Sequence, residues 1–254
     1  MSTPVLQTRH LVKRFGGFLV TDNVTLNIAA GARHALIGPN GAGKTTLINL
    51  LTGFLEPTSG AVLLDGEEVT GLSQHARVKR GVARTFQINH LFSDMTVLES
   101  VTLATLERLG RSAQWWRPVG AHSEAVDAAA ELLLQLRLLD VAHSLTRNLA
   151  YGKQRLVEIA LALAVRPRVL LLDEPAAGVP ASESRDLFET IAQLPRDVTI
   201  LLIEHDMDLV FRFADRISVL VSGAVLTEDV PPVIAKDPRV RQVYLGESAG
   251  AAHG

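Results

Sequence analysis

Cysteine is absent from the 254-residue chain. The chain therefore has no disulfide framework and no thiol chemistry, a composition that fits a cytosolic protein. Long apolar runs are missing as well, since the longest, such as 169–172 and 200–203, are far too short to cross a bilayer. Residues 1–7 lack the basic and apolar regions of a signal peptide, so we expect the chain on its own to be soluble.

Charge of one sign is not in excess, because the formal net charge is only −2. Nucleic-acid-binding proteins usually carry a basic surface, so this balance argues against nucleic acid as a partner. A hydrophobic content of 47% with 20% charged residues indicates a globular protein. The length suffices for one large domain or for a main body with a subdomain.

A glycine-rich motif occupies residues 38–46 and fits the pattern G-x-x-x-x-G-K-[ST]. A strand-like run precedes it at 32–37, and a helix-like run follows at 47–51. In this setting the glycines let backbone N–H groups point at phosphate oxygens, and the helix adds its positive end. We predict a nucleotide-binding loop that consists of Gly38, Pro39, Asn40, Gly41, Ala42, Gly43, Lys44, Thr45 and Thr46.

Three side chains near this loop have predicted roles in binding ATP and Mg²⁺. Lys44 supplies a positive charge for the β- and γ-phosphates, and the Thr45 hydroxyl supplies a ligand for Mg²⁺. Phe15 precedes the turn at Gly16-Gly17 and either stacks on the purine ring or packs in a sheet.

Strand and helix patterns alternate along the chain. Apolar and polar residues alternate at 24–28, as on a half-buried strand, whereas 169–172 is apolar throughout. The predicted strands are two within 5–28 and those at 61–65, 81–86, 169–172, 198–203, 217–221 and 225–227. Further predicted helices cover 96–109, 123–139, 152–166, 182–194 and 206–213, and the first of these starts with a capping box at 96–99.

Continuous apolar strands alternating with helices indicate an α/β protein with a mainly parallel sheet that is covered on both faces. We predict a core over 1–87 and 167–246 whose N-terminal part is an antiparallel β-subdomain. An inserted α-helical subdomain covers 88–166, and the tail 247–254 has a composition typical of flexible segments.

Acidic residues and a histidine follow the apolar strands at their carboxyl ends, where parallel sheets bind ligands. Asp173 is the expected carboxylate for Mg²⁺, and Glu174 is well placed to polarise an attacking water. Both residues are alternatively an acidic pair that caps a helix. His205 ends the next apolar strand, where its imidazole would reach a γ-phosphate, although most histidines are structural or face solvent.

Residues 148–154 distinguish this chain from other P-loop proteins, and here the sequence resembles an ABC transporter ATP-binding subunit along essentially its whole length. The resemblance implies a P-loop NTPase fold of the ABC ATPase type. It assigns an aromatic stacking residue, the phosphate loop, a glutamine that joins Mg²⁺ to the helical subdomain, a signature, an Asp-Glu pair, a D-loop and a switch histidine. The matching positions are Phe15, 38–46, Gln87, 149–153, Asp173, Glu174, 178–180 and His205.

The signature departs from the usual Leu-Ser-Gly-Gly-Gln, because this chain reads Leu-Ala-Tyr-Gly-Lys at 149–153. Ala150, Tyr151 and Gly152 are expected to contact ATP held by the opposite subunit. Ala150 lacks the hydroxyl that would donate to the γ-phosphate, so we expect backbone N–H groups near Gly152 to do so. The D-loop also departs, with Gly178-Val179-Pro180 after Ala177.

The sequence of the signature segment is similar to that of the ATPases of the branched-chain (hydrophobic) amino-acid uptake family. The sequences at 83–87, 173–178 and 203–207 are similar to that family as well. The resemblance implies an ATPase subunit of an importer for branched-chain or other amino acids, peripheral on the cytoplasmic face of the inner membrane. Its implied partners are a second ATP-binding subunit, two transmembrane permeases and, indirectly, a periplasmic binding protein. The alternatives are a soluble non-transport ABC ATPase and a catalytically silent nucleotide-binding regulator.

Overall fold

The computed structural model describes residues 4–85, 93–111 and 122–250, except the side chains of 245–250. Gln87 lies outside the described residues, as does the segment 112–121, which contains the two tryptophans of the chain, Trp115 and Trp116. The strands are, in chain order, β1 (Pro4–Phe15), β2 (Phe18–Ala29), β3 (Arg33–Ile37), β4 (Ser59–Leu64), β5 (Glu67–Glu68), β6 (Val82–Arg84), β7 (Val169–Asp173), β8 (Thr199–Ile203), β9 (Arg216–Val221) and β10 (Ala224–Asp229).

The α-helices within the described ranges alternate with the later strands. They are α1 (Lys44–Thr52), α2 (Gln74–Lys79), α3 (Val97–Arg108), α4 (Ser123–Gln135), α5 (Tyr151–Ala164), α6 (Ala181–Ala192), α7 (Met207–Phe213), α8 (Pro231–Ile234) and α9 (Pro238–Gly250). Two short 3₁₀ turns, Leu139–Val141 and Thr146–Asn148, join α4 to α5.

The first sheet is antiparallel and has the order β2-β1-β4-β5. The predicted turn at Gly16-Gly17 joins β1 to β2, and Val24, Leu26 and Ile28 on alternate positions of β2 are buried. A two-residue hairpin at Asp65-Gly66 joins β4 to β5. Both residues have positive φ, 51° and 81°, as in the type I′ turns that suit two-residue hairpins.

The second sheet has the order β10-β9-β3-β8-β7-β6. Its neighbours pair in parallel from β9 to β6, and only β10 is antiparallel. One buried apolar cluster lies between this sheet and helices α3 to α6, and another lies between the two sheets around α1. The predicted α/β fold, with a mainly parallel sheet covered on both faces and an antiparallel N-terminal sheet, is therefore confirmed.

Helix α3 begins with the predicted capping box. The Thr96 hydroxyl accepts from the Glu99 N–H at 3.2 Å, and the Glu99 carboxylate accepts from the Thr96 N–H at 2.8 Å. The bonds that the Glu99 carboxylate accepts from the Thr96 N–H and the Thr96 hydroxyl lower the pKa of the Glu99 carboxyl.

Helix α4 ends at Gln135, whereas the apolar pattern predicted a helix to residue 139. The Leu138 N–H bonds to the Leu133 carbonyl and the Arg137 N–H to the Leu134 carbonyl, which is the Schellman arrangement. Arg137 takes the left-handed position with φ 55°, where glycine is the usual residue. The end of α4 could therefore not be predicted from a glycine in the sequence.

The C-terminal helix α9 continues to Gly250, so part of the segment 247–254, for which composition predicted a flexible tail, is helical. None of the helices within the described ranges combines the length and hydropathy that crossing a membrane requires.

Candidate nucleotide-binding site

The glycine-rich loop joins β3 to α1 and is fastened to its surroundings by backbone contacts. The Ala42 carbonyl accepts from the Gly223 N–H at 2.9 Å, and the Gly223 carbonyl accepts from the Asp22 N–H at 2.8 Å. A Cβ on Gly43, whose φ is 98°, would lie 2.7 Å from the Val20 carbonyl oxygen. Glycine is needed here because β2 and the β9–β10 turn approach the loop so closely.

Lys44, the first residue of α1, folds its side chain back over the loop. Its ammonium donates to the carbonyl oxygens of Gly38 at 2.7 Å and Pro39 at 3.0 Å, and the side chain is buried. Thr45 and Thr46 follow in the first turn of the same helix. The loop therefore brings a buried positive charge to the N-terminal end of a helix, where an anion is favoured.

The strands that precede the other predicted site residues lie beside β3. Ile203 pairs with Leu36 on one side and with Asp173 on the other, so β3, β8 and β7 end in register. The predicted placement of Gly38, Asp173 and His205 at one edge of the sheet is confirmed. Since neighbouring strands lie ~4.8 Å apart, the tips of β3 and β7 are separated by roughly 10 Å, which leaves room for a phosphate group.

Asp173 is bonded to Arg84 and, through Arg84, is linked to Asn49. The Arg84 guanidinium donates to the Asp173 carboxylate at 2.7 Å and to the side-chain carbonyl oxygen of Asn49 at 2.7 Å. Arg84 ends β6 and Asn49 lies on α1, so the network ties three elements around the carboxylate. The sequence placed Arg84 within the predicted strand 81–86 and within the family-like segment 83–87, but gave no sign of its bond to Asp173.

Glu174 begins the turn after β7 with a left-handed backbone, φ 48°, which is uncommon for a residue other than glycine. Its N–H donates to the Ile203 carbonyl at 2.9 Å. Residues held in this region cluster at functional sites, because the surrounding structure must maintain them. The turn is thus fixed to the end of β8.

Glu204 makes a second link between the two strand tips. The side chain is only 1% exposed, and its carboxylate accepts from the Ala176 N–H and the His205 N–H, each at 3.0 Å. His205 is 67% exposed, and its Nδ1 lies 3.6 Å from the Glu204 carboxylate. The Glu-His pair at 204–205 therefore combines a buried structural carboxylate with an exposed imidazole.

The signature segment starts α5, with Ala150 at the N-cap position and no side-chain cap. The Gly152 N–H donates to the Glu183 carboxylate of α6 at 2.9 Å. In the isolated chain the N–H of Gly152 is therefore already paired, and the expectation that backbone N–H groups near Gly152 donate to a phosphate stays a prediction. A carboxylate takes this donor because the N-cap alanine offers no oxygen of its own.

Tyr151 and Arg155 hold the signature segment against the turn that follows Glu174. The Arg155 guanidinium donates to the Tyr151 hydroxyl at 2.9 Å and to the Glu158 carboxylate at 2.8 Å. The Tyr151 ring packs so closely on Gly178 that a Cβ there would lie 3.3 Å from it. The signature and the D-loop are therefore in direct contact within one subunit.

Phe15 lies at the end of β1, opposite Phe18, and is 45% exposed. The Lys13 ammonium lies 5.0 Å from the centre of its ring. The ring is thus outside the core, and its stacking on a purine stays a prediction. The roles of Gln87, which lies outside the described residues, and of the other site residues also stay predictions.

The phosphate loop between a buried strand and a helix, with acidic strand tips beside it, defines a P-loop nucleotide-binding protein. The profile of the ABC transporter family matches residues 21–177. This chain belongs to the ABC transporter family, whose cassettes bind and hydrolyse ATP.

Two relatives are similar over nearly the full length. The high-affinity branched-chain amino acid transport ATP-binding protein BraF of Pseudomonas aeruginosa is 44% identical over 255 residues, covering 98% of this chain and 100% of BraF. The corresponding protein LivG of Escherichia coli is 43% identical over 258 residues, covering 98% and 100%.

Solved structures agree with this assignment. The ADP conformation of an ATP-binding cassette of an ABC transporter has a TM-score of 0.86 at 31% identity, covering 96% of this chain and 100% of that one. A dimeric bacterial ABC transporter cassette has a TM-score of 0.72 at 26% identity, covering 89% and 98%.

Proposed function

We propose that this chain binds and hydrolyses ATP to power an importer for branched-chain or other amino acids. The observation that carries the proposal is its identity of 43–44%, over 98% of its length, with proteins named for branched-chain amino acid transport. The family accounts for the ATPase activity, and the cargo is the proposed part.

The triphosphate of ATP lies along the loop 38–46 in this proposal. The Lys44 ammonium exchanges the carbonyls of Gly38 and Pro39 for the β- and γ-phosphates, and the amides at the start of α1 add further donors. The adenine stacks on Phe15, whose ring is accessible at the end of β1.

The Thr45 hydroxyl and the Asp173 carboxylate offer the oxygen donors that Mg²⁺ prefers, so the described part of the site fits this ion. The proposed ligands are the Thr45 hydroxyl, the Gln87 side chain and the Asp173 carboxylate. In the described structure the Asp173 carboxylate forms an ion pair with the Arg84 guanidinium, so its position already favours a positive charge. When bound, Mg²⁺ neutralises charge on the phosphates.

Hydrolysis breaks the bond between the γ-phosphorus and the β–γ bridging oxygen as water attacks the γ-phosphorus, and ADP and phosphate leave. We assign to Glu174 the orientation and deprotonation of that water. His205 contacts the γ-phosphate. Two hydrogen bonds support joint action of Glu174 and His205, because they fix the tips of β7 and β8 to each other. They join the Glu174 N–H to the Ile203 carbonyl and the Ala176 N–H to the Glu204 carboxylate.

A second ATP-binding subunit, either a different chain or a copy, closes head to tail on this one. The ATP on one loop then meets Ala150, Tyr151 and Gly152 of the other. A solved cassette that is dimeric supports this arrangement.

The helices that follow Gln87 contact two transmembrane permeases in this proposal. Gln87 couples the Mg²⁺ site to these helices, so that binding of ATP moves them. A periplasmic binding protein supplies the cargo, and the chain sits peripherally on the cytoplasmic face of the inner membrane.

The alternatives have no support from the comparisons. The full-length relatives are named as transport proteins, not as soluble ATPases of another process. ATP hydrolysis is a property of the family, which leaves the silent regulator without a specific observation in its favour.

The test of the cargo is reconstitution of this chain in lipid vesicles with candidate permeases, a second ATP-binding subunit and a binding protein of the branched-chain amino-acid uptake class. We expect ATP-dependent uptake of labelled leucine, with a labelled sugar as the control cargo. ATP hydrolysis that responds to none of leucine, isoleucine or valine, without their uptake, would contradict a branched-chain cargo and leave the other amino acids to be tested in the same assay, with the ATPase assignment intact.

A further inference from the structure

The N-terminus of α5 is capped by a carboxylate from another helix. Neither Ala150 at the N-cap nor the first turn of α5 provides an acidic or hydroxyl cap. Glu183 of α6 does so instead, since its Oε2 accepts from the Gly152 N–H at 2.9 Å. A negative charge at this position is favoured by the helix dipole.

The fit between Glu183 and Gly152 is close. A Cβ on residue 152 would lie 2.8 Å from the Glu183 Oε2 and 3.2 Å from the Glu183 Cβ. Any residue with a side chain would push the carboxylate away, so the glycine permits this contact. The carboxylate therefore rests directly on the helix end that, in the proposed function, receives the γ-phosphate from the opposite subunit.

Two anions compete for one donor at this place. A carboxylate and a γ-phosphate both accept from backbone N–H groups at helix ends, and like charges repel when brought this close. Ala150 supplies no hydroxyl that would offset the loss of the Gly152 N–H. An incoming phosphate must therefore displace the carboxylate before it binds fully.

Glu183 also lies in the first turn of its own helix, α6. After leaving Gly152, its charge would still be stabilised by the N-terminal end of α6. Tyr151 and Arg155 hold α5 against the 174–178 turn independently of Glu183. The carboxylate can thus move without loss of the packing between the signature and the D-loop.

We infer that Glu183 occupies the γ-phosphate position at the start of α5 in the isolated subunit and sets the affinity with which ATP joins two subunits. The inference rests on the proposed function, because it concerns the same signature segment. Release of Gly152 accompanies closure, and removal of the carboxylate favours closure.

The experiment measures ATP-dependent association by sedimentation equilibrium in the full-length chain carrying E174Q, which keeps ATP intact. The variants are E183A and E183Q, with E189A and E189Q as charge-matched controls at an exposed position of the same helix. We expect E183A to associate about tenfold more tightly, since a bond to a charged group is lost from the open state only. E183Q should fall between E183A and the parent, because its amide oxygen still accepts but carries no charge.

Fluorescent-ATP binding at protein concentrations below association reports on the loop 38–46 separately, and we expect it to be unchanged in every variant. Thermal unfolding checks that E183A is folded, and the isosteric E183Q serves if it is not. Association no tighter than the parent in both variants, including no association at all, would overturn the role of Glu183. Absence of ATP binding by the parent would instead overturn the proposed function, and the inference with it.

Discussion

Asp173, the acidic residue at the end of β7, is held by the Arg84 guanidinium, which also bonds to Asn49. The Arg84 and Asp173 side chains are 17% and 19% exposed, so water reaches the pair only in part. Removing one partner of such an ion pair destabilises the folded protein, because the remaining charge is then poorly solvated.

Replacing Arg84 with glutamine should lower the free energy of unfolding by about 1–3 kcal/mol, since the Asp173 carboxylate loses a charged hydrogen-bond donor. Urea denaturation measures the change. The control is R80Q, because Arg80 pairs with Glu67 on the surface, where the side chains are 50% and 72% exposed. That variant should lose no more than ~1 kcal/mol. Equal urea midpoints for R84Q and the wild type would contradict a stabilising pair.

The residue contacts around the site could not have been predicted from the sequence. Arg84 to Asp173, Glu204 to Ala176 and Gly152 to Glu183 each join positions that lie far apart along the chain. No spacing rule connects such positions, since their meeting depends on the packing of whole elements. Glycine and lysine in the phosphate loop were predictable, because backbone conformation and charge require those residues at fixed spacing.

Strand β3 leads into the phosphate loop and is linked to β9, and through β9 to β10, by a buried histidine. His34 Nε2 lies 2.8 Å from the Ser218 hydroxyl of β9, which donates to the Glu228 carboxylate of β10 at 2.7 Å. Burial lowers the pKa of the His34 imidazole, and the charge of Arg216 acts in the same direction. The carboxylates of Glu228 and Asp215 oppose them, but burial is the largest effect.

The free energy of unfolding should therefore fall as the pH is lowered below about 6.5, the usual pKa of histidine. Between that value and the lower pKa of the folded state, the unfolded chain binds more protons at His34 than the folded chain does, so the slope is at most ~1.4 kcal/mol per pH unit. Chemical denaturation between pH 7.5 and 5 measures it. H34Q should lose this component, and H75Q, at an exposed position of α2, should keep it. The same slope in H34Q and the wild type would contradict the effect.

At the scale of elements, alternating patterns gave the order of strands and helices because burial on one or both faces imposes a period on the sequence. The end of α4 was predicted too late because Arg137 adopts a backbone that glycine usually takes. Part of the tail is helical in α9 although its composition resembles a flexible segment. Helix ends depend on a few backbone angles, which periodicity does not encode.

Across the whole molecule, the parallel sheet separates two buried layers and brings the phosphate loop and the tips of β7 and β8 to one edge. The signature segment reaches the turn after Glu174 through α5, one of the helices between β6 and β7. The convergence of the phosphate loop with the tips of β7 and β8 was predictable, since the carboxyl ends of parallel strands lie at the same edge of a sheet. The contact between the signature and α6 was not, because it depends on how the inserted helices pack.

The central claim is that ATP lies on the loop 38–46 and is hydrolysed by groups at the tips of β7 and β8. Parallel measurement of Mg²⁺-dependent ATP affinity and of phosphate release in E174Q tests it most directly, with E189Q as a control for the loss of one charge. We expect E174Q to bind ATP like the wild type while its hydrolysis falls by ~100-fold or more, because the base that activates water is gone. Turnover near that of the wild type in E174Q, or a wild-type chain with no Mg²⁺-dependent affinity for ATP, would contradict the claim.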